Sequence, residues 1–186
     1  MDYNDKGART LSFYVDHEDQ LQTLYGALRL DNNDGTPNFQ AALFSKLAVI
    51  AGLEDIQEPE EATLPIGKEG SDKEVAVLPD FEDFECKIWV QMEYSLYQNK
   101  IMEKKKIKGF YRVDGASADE ILNETEVGVR YSKDEKYFEN PSYKDGLTEE
   151  EVNAWIANGR KNESVSTSAK KPTPKMNFGK KKLGGK

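Results

Sequence analysis

Glu85-Cys86-Lys87-Ile88-Trp89-Val90-Gln91-Met92-Glu93-Tyr94, returning after a lysine cluster as Ile107-Lys108-Gly109-Phe110-Tyr111-Arg112-Val113, is the stretch on which the reading of this chain turns. Side chains alternate along a strand, so Cys86, Ile88, Val90, Met92 and Tyr94 share one face, and Lys87, Trp89, Gln91 and Glu93 share the other. One face can build a core while the other meets a partner. Lys100, Lys104, Lys105, Lys106 and Lys108 lie between or within the runs, and the return run adds Phe110, Tyr111 and Arg112. Rings beside cations on a hairpin hold single-stranded nucleic acid by stacking and phosphate pairing. A plainer explanation competes, because Trp and Tyr favour strands and lysines commonly sit on solvated turns and edge strands.

The charge map sharpens the contest. Arg160 to Lys186 holds nine Lys or Arg against one acid, Glu163, which makes this segment +8 and leaves residues 1–159 with −16 of the total −8. So acidic a body disfavours wrapping by a polyanion, and any nucleic-acid site must be a local basic stripe. The hairpin lysines are that stripe. The segment 160–186 is rich in Ser, Thr, Pro, Gly and Lys and is expected to be disordered, as a solubilising appendage, an arm for phosphates or a clasp on the acidic body. Met176-Asn177-Phe178 interrupts it like a short docking motif.

At 186 residues the chain suits a domain over 1–159 and a tail over 160–186, with core enough to need no disulfide. The single cysteine, Cys86, fits a reducing compartment and packing on the inner strand face. No apolar run is long enough to cross a bilayer and the N-terminus does not read as a signal peptide, so a cytoplasmic protein is expected. Catalytic machinery is nearly absent. The one histidine, His17, sits in an acidic turn, and neither a nucleophilic triad, a His/Cys metal site nor a phosphate-binding glycine motif can be assembled. The runs Glu58, Glu60, Glu61 and Glu149, Glu150, Glu151 are the remaining candidates for a divalent ion. No enzyme, cofactor or metal is therefore expected.

The rest of the chain predicts a mainly β, α+β fold. Arg9 to Val15 and Leu21 to Leu30 read as strands, Asp31-Asn32-Asn33-Asp34-Gly35 as a turn, and Pro37 to Ala51 as a helix that caps the sheet and closes at Gly52. Glu54 to Lys73 reads as an acidic mobile loop and Glu74 to Leu78 as a strand. Capping boxes at Ser117-Ala118-Asp119-Glu120 and Thr148-Glu149-Glu150-Glu151 open two short helices. Between them, Tyr131, Tyr137, Phe138 and Tyr143 punctuate a charged stretch of no clear periodicity.

Gly7-Ala8-Arg9-Thr10-Leu11-Ser12-Phe13, the turn with Gly35, the helix from Leu43 to Leu53, Pro79-Asp80, Val90-Gln91-Met92-Glu93-Tyr94 and Asp114-Gly115-Ala116-Ser117-Ala118-Asp119-Glu120-Ile121-Leu122 together resemble, over residues 7–122, a group of bacteriophage single-stranded-DNA-binding proteins of replication and recombination. The resemblance implies an OB-like antiparallel β-barrel with a capping helix, holding single strands without sequence preference. This chain departs from it in two places. Only six residues precede Gly7, so a first barrel strand is expected to be missing, replaced or supplied by a partner chain, and an open edge would favour a homodimer. The tail is basic where such proteins commonly end in an acidic, partner-recruiting segment.

The expected stacking rings are Trp89, Tyr94, Tyr97 and Tyr111, with Tyr94 on the inner face if alternation is strict. Phosphate contacts are expected from Lys87, Lys104, Lys105, Lys106, Lys108 and Arg112, and Arg9, Tyr14, Tyr25 and Arg29 on the first hairpin form a second tier. The partner is single-stranded DNA or RNA, with replication or recombination proteins beyond it. Two other readings stand: an acidic module that mimics DNA against a basic host protein, and a small carboxylate-dependent nuclease.

Overall fold

The computed structural model describes residues 1–3, 6–17, 20–66 and 71–161. The basic segment 162–186 and the Glu18-Asp19 part of the acidic turn lie outside the described residues. Strands β1 (Asp2–Tyr3), β2 (Arg9–His17) and β3 (Gln20–Arg29) form one antiparallel sheet. Helix α1 (Ala41–Ala51) follows, then a hairpin of β4 (Glu60–Ile66) and β5 (Ser71–Val77). The long hairpin is β6 (Lys87–Tyr97) with β7 (Lys100–Tyr111). Helices α2 (Ala118–Leu122) and α3 (Val129–Phe138), strand β8 (Ser142–Tyr143) and helix α4 (Glu149–Ala157) complete the chain.

The fold is thus α+β with more strand than helix, as the sequence predicts. The OB-like barrel is not formed, because the described strands pair as three separate sheets, β1-β2-β3, β4-β5 and β7-β6-β8. A short strand does lie ahead of Gly7, within the six residues where the first barrel strand was expected to be missing, replaced or supplied by a partner: β1 pairs with β2 at Asp2↔Thr10 and Tyr3↔Arg9.

The β6–β7 hairpin organises the packing. Its turn is the pair Gln98-Asn99, both at positive φ (50° and 58°), the two-residue geometry whose twist matches the flanking strands. Strict alternation on β6 sends Ile88 and Val90 against a first core and Met92, Tyr94 and Leu96 into a second. The first core joins Leu11 and Leu28 of the first sheet, and Leu30 just beyond β3, to Leu47 and Ile50 of α1 and to Ile107 and Phe110 of β7. The second joins Tyr94 and Ile101 to Leu147, Val152 and Trp155. Ile107 and Phe110 both reach the first core although they are three residues apart. A β-bulge makes this possible: Trp89 faces Gly109 while Val90 faces Ile107, so Lys108 is the extra residue.

Both capping boxes form as read. Ser117 accepts from the Glu120 N–H and Thr148 from the Glu151 N–H, each with the reciprocal carboxylate contact. Two expectations need correction, and a stretch that could fold against the body or remain a loop resolves into a helix. Helix α1 begins at Ala41 rather than Pro37, since Thr36, Pro37 and Asn38 are tied into the preceding turn through Asn32 and Leu30. The acidic stretch read as a loop contains β4, whose Pro65 is tolerated because it sits on a two-stranded hairpin with no neighbour on that side. The aperiodic stretch is helix α3, opened by Gly128 at φ 84° and held by the buried Glu120 carboxylate, which accepts from the N–H groups of Ser117, Gly128 and Arg130. Burial alone would raise the Glu120 pKa, but these donors outweigh it and hold it below the ordinary range. Among the described residues no helix is long and apolar enough to cross a membrane.

Candidate nucleic-acid interface

The outer face of β6 is not the open surface that alternation suggested, because α3 and the segment after it cover its middle. Trp89 stacks on Tyr131 of α3 with ring centroids 5.6 Å apart, and its Nε1 is buried without a hydrogen-bond partner among the described residues. Gln91 is buried and donates through Nε2 to the Asn140 carbonyl at 2.7 Å. Lys87 stays exposed at the end of this ladder, its Nζ 4.9 Å from the Tyr131 ring centre.

Two of the four expected stacking rings lie inside the protein. Tyr94 is 6 % exposed, in the second core between Tyr143 and Trp155. Tyr111 is 2 % exposed; its hydroxyl donates to Asp134 Oδ2 at 2.6 Å, and Asp134 also accepts from Arg130 Nε at 2.7 Å. Burial first, and the Asp134 carboxylate second, push the Tyr111 phenol well above its ordinary pKa. Gly109 leaves room for this ring, since a Cβ there would stand 2.8 Å from the Tyr111 hydroxyl. Neither ring faces solvent to stack on a base. Tyr97, 63 % exposed at the hairpin tip opposite Lys100, does.

The lysines fare differently. None of Lys100, Lys104, Lys105, Lys106 and Lys108 has a carboxylate oxygen within 4.0 Å among the described residues. They line β7, which is the edge of its sheet. Lys104 and Lys106 share a face with Glu93, Lys105 lies on the opposite face between the two cores, and the bulge takes Lys108 out of alternation. Lys108 Nζ comes 6.0 Å from the Phe138 ring centre.

Beside this edge, α1 and β7 enclose an open cleft of about 480 Å³. Lys106 and Lys108 line one wall with Glu93; Phe39 and Lys46 line the other; Leu43 and Ile107 supply apolar surface. Phe39 is 81 % exposed, the most exposed large apolar side chain among the described residues. Lys46 is steadied by Asp119 at 2.8 Å. A ring, three cations and one carboxylate thus converge on a space of ligand size.

The second-tier residues do not join this cleft as a group. Arg9 forks onto Asp31 through Nε at 2.7 Å and Nη2 at 2.8 Å, and Arg29 donates to the Asp31 carbonyl at 2.7 Å and to the Asn33 side chain. The Arg9 hydrogen bonds hold the Asp31 carboxyl down at about 2. Arg112 is likewise occupied by Asp114 at 2.7 Å. Tyr14 is half-buried, whereas an irregularity in the β2–β3 pairing, with Gly26 at φ 51°, throws Tyr25 out to 61 % exposure.

Sequence reasoning missed Phe39 because a helix begun at Pro37 would have absorbed it. Its available signal was position: a large apolar residue in the polar Thr36-Pro37-Asn38 entry to a helix whose apolar stripe starts later. Among the described residues no three His, Cys, Asp or Glu side chains are grouped to hold a metal. The Glu149, Glu150, Glu151 run occupies the first turn of α4, with Glu151 completing the capping box. No protein-family model matches this chain, and no curated protein or solved structure is significantly similar to it.

Proposed function

We propose that this chain is a non-catalytic protein of bacteriophage type that binds single-stranded DNA during replication or recombination in the host cytoplasm. The β7 lysines meet the phosphates, and exposed rings, chiefly Tyr97 and Phe39, meet the bases. One observation carries the reading: five lysines without carboxylate partners among the described residues run along an edge strand beside an open cleft that also bears a solvent-exposed phenylalanine. Lysines that only guard an edge against strand pairing explain the charge but not the ring. A closed barrel is not required, since a cationic edge with rings at its tip and flank is enough to track a flexible strand. RNA meets the same groups, because nothing in a lysine or a stacking ring distinguishes the 2′-hydroxyl.

The acidic-module reading has its own support. Residues 54–66 and 71–85 carry eleven Asp or Glu against the single Lys73, nearly all exposed. Fluorescence anisotropy of a labelled oligothymidine with the full chain separates the two. Saturable, salt-sensitive binding that a duplex of the same length does not match supports the proposal. An unbound strand refutes it, and salt-sensitive capture of a basic protein would then put the acidic module ahead.

A further inference from the structure

We propose that the cleft between α1 and β7 is a nucleotide subsite that seats one base against Phe39, takes its phosphates on Lys106 and Lys108, and reads the base edge through Glu93, favouring bases with an exocyclic amine. This deepens the single-strand reading and rests on it. The argument begins with Glu93. A phosphate-binding cleft gains nothing from a carboxylate, which repels the backbone that the lysines attract. Yet Glu93 lines this cleft, half-buried, with no ion pair or side-chain hydrogen bond among the described residues, although Lys104 is its register partner across the hairpin. An ionised carboxylate is acceptor-only. The base-edge groups it satisfies best are the exocyclic amines, cytosine N4, adenine N6 or guanine N2 beside its N1–H, whereas the one ring N–H of thymine, at N3, is flanked by two carbonyls that repel a carboxylate.

The other groups fit the same occupant. Phe39 offers an 81 % exposed ring at the opposite wall, where every base has a face to lay against it. Lys106 and Lys108 have no carboxylate partner among the described residues, and Lys108 is displaced by the bulge, a device that re-aims a side chain. Lys46 is fixed by Asp119 beside them. The volume of about 480 Å³ is within the range of small-ligand sites and admits one nucleotide rather than several. Three cations against Glu93 and the Asp119 partner of Lys46 leave the cleft net positive inside an acidic body.

The test compares labelled oligodeoxycytidine and oligothymidine of equal length with the full chain and its Phe39→Ala, Glu93→Ala and Lys106→Ala variants. The unaltered chain should bind oligodeoxycytidine about 10- to 150-fold tighter, the value of one hydrogen bond to a charged acceptor. Glu93→Ala should bring that ratio to near one, with oligothymidine bound no more weakly than before. Phe39→Ala should weaken both by about 5- to 150-fold, Phe39→Tyr should restore them, and Lys106→Ala should flatten the salt dependence for both. Both side chains lie at the cleft wall, so unchanged unfolding midpoints serve as the folding control. A chain that binds both strands equally, or variants at Phe39 and Glu93 that behave like the parent while Lys106→Ala still weakens binding, would overturn the subsite and leave the single-strand reading standing. Failure of the unaltered chain to bind either strand overturns both.

Discussion

Replacing Tyr111 by phenylalanine separates its structural place from the stacking role that its sequence position suggests. The ring stays, so no cavity opens; only the hydroxyl that donates to Asp134 at 2.6 Å is lost. A buried hydrogen bond to a charged acceptor is worth about 1.5–3 kcal/mol. Asp134 keeps its Arg130 contact at 2.7 Å and is not left unpaired, so the cost should fall at the lower end, about 1.5–2 kcal/mol. For a chain of this size that lowers the melting midpoint by about 3–8 °C. Urea unfolding followed by circular dichroism reads the change, with the slope of the transition unaltered because the surface exposed on unfolding is the same. Oligothymidine affinity should match the parent at a temperature where both are folded. A Tyr111→Phe chain as stable as the parent would refute the buried Tyr111–Asp134–Arg130 network, and with it the reason for removing Tyr111 from the interface.

Gly109→Ala should destabilise by a comparable amount, since its Cβ would meet the Tyr111 hydroxyl at 2.8 Å and push it off Asp134; thermal unfolding reports it. Thr148→Ala should cost about 1 kcal/mol by removing the α4 cap, read as a lower urea midpoint. Acid unfolding tests the Arg9–Asp31 pair: the Asp31 carboxyl, at about 2 against an ordinary 3.8, contributes stability that is complete above pH 4 and lost as the pH falls toward 2. Asp31→Asn should therefore flatten the pH dependence of the unfolding free energy in that window, and an unchanged slope would contradict the pairing.

The sequence exposed the local rules and concealed the tertiary ones. Alternation on β6 assigned Ile88, Val90 and Met92 to the interior correctly, and both capping boxes announced their helices, because each is settled by residues a few positions apart. What covers the other face of β6 depends on α3, half of whose ten residues are charged and whose start is fixed by Glu120 from another helix. That coverage turned Trp89 from an expected platform into a packed ring. Tyr111 was lost to the interface for the same reason: the bulge at Lys108, which no residue type in Lys106-Ile107-Lys108 declares, sets it on the Trp89 face, where Tyr131 and Asp134 of α3 cover it. The bulge also helped to assemble the cleft. The lysines were legible as a group, but their meeting with Phe39 across α1 was not, since it joins residues about seventy positions apart through the packing of α1 on the first core.

The central claim is tested most directly by the salt dependence of oligothymidine binding for the full chain and for the variant Lys104→Ala/Lys105→Ala/Lys106→Ala/Lys108→Ala. Each phosphate neutralised on a single strand contributes about −0.7 to the slope of log affinity against log salt. If all four lysines engage, the variant's slope should be shallower by about 3 and its affinity lower at every salt concentration. Equal slopes and equal affinities for parent and variant would contradict the account and move any strand binding away from β7.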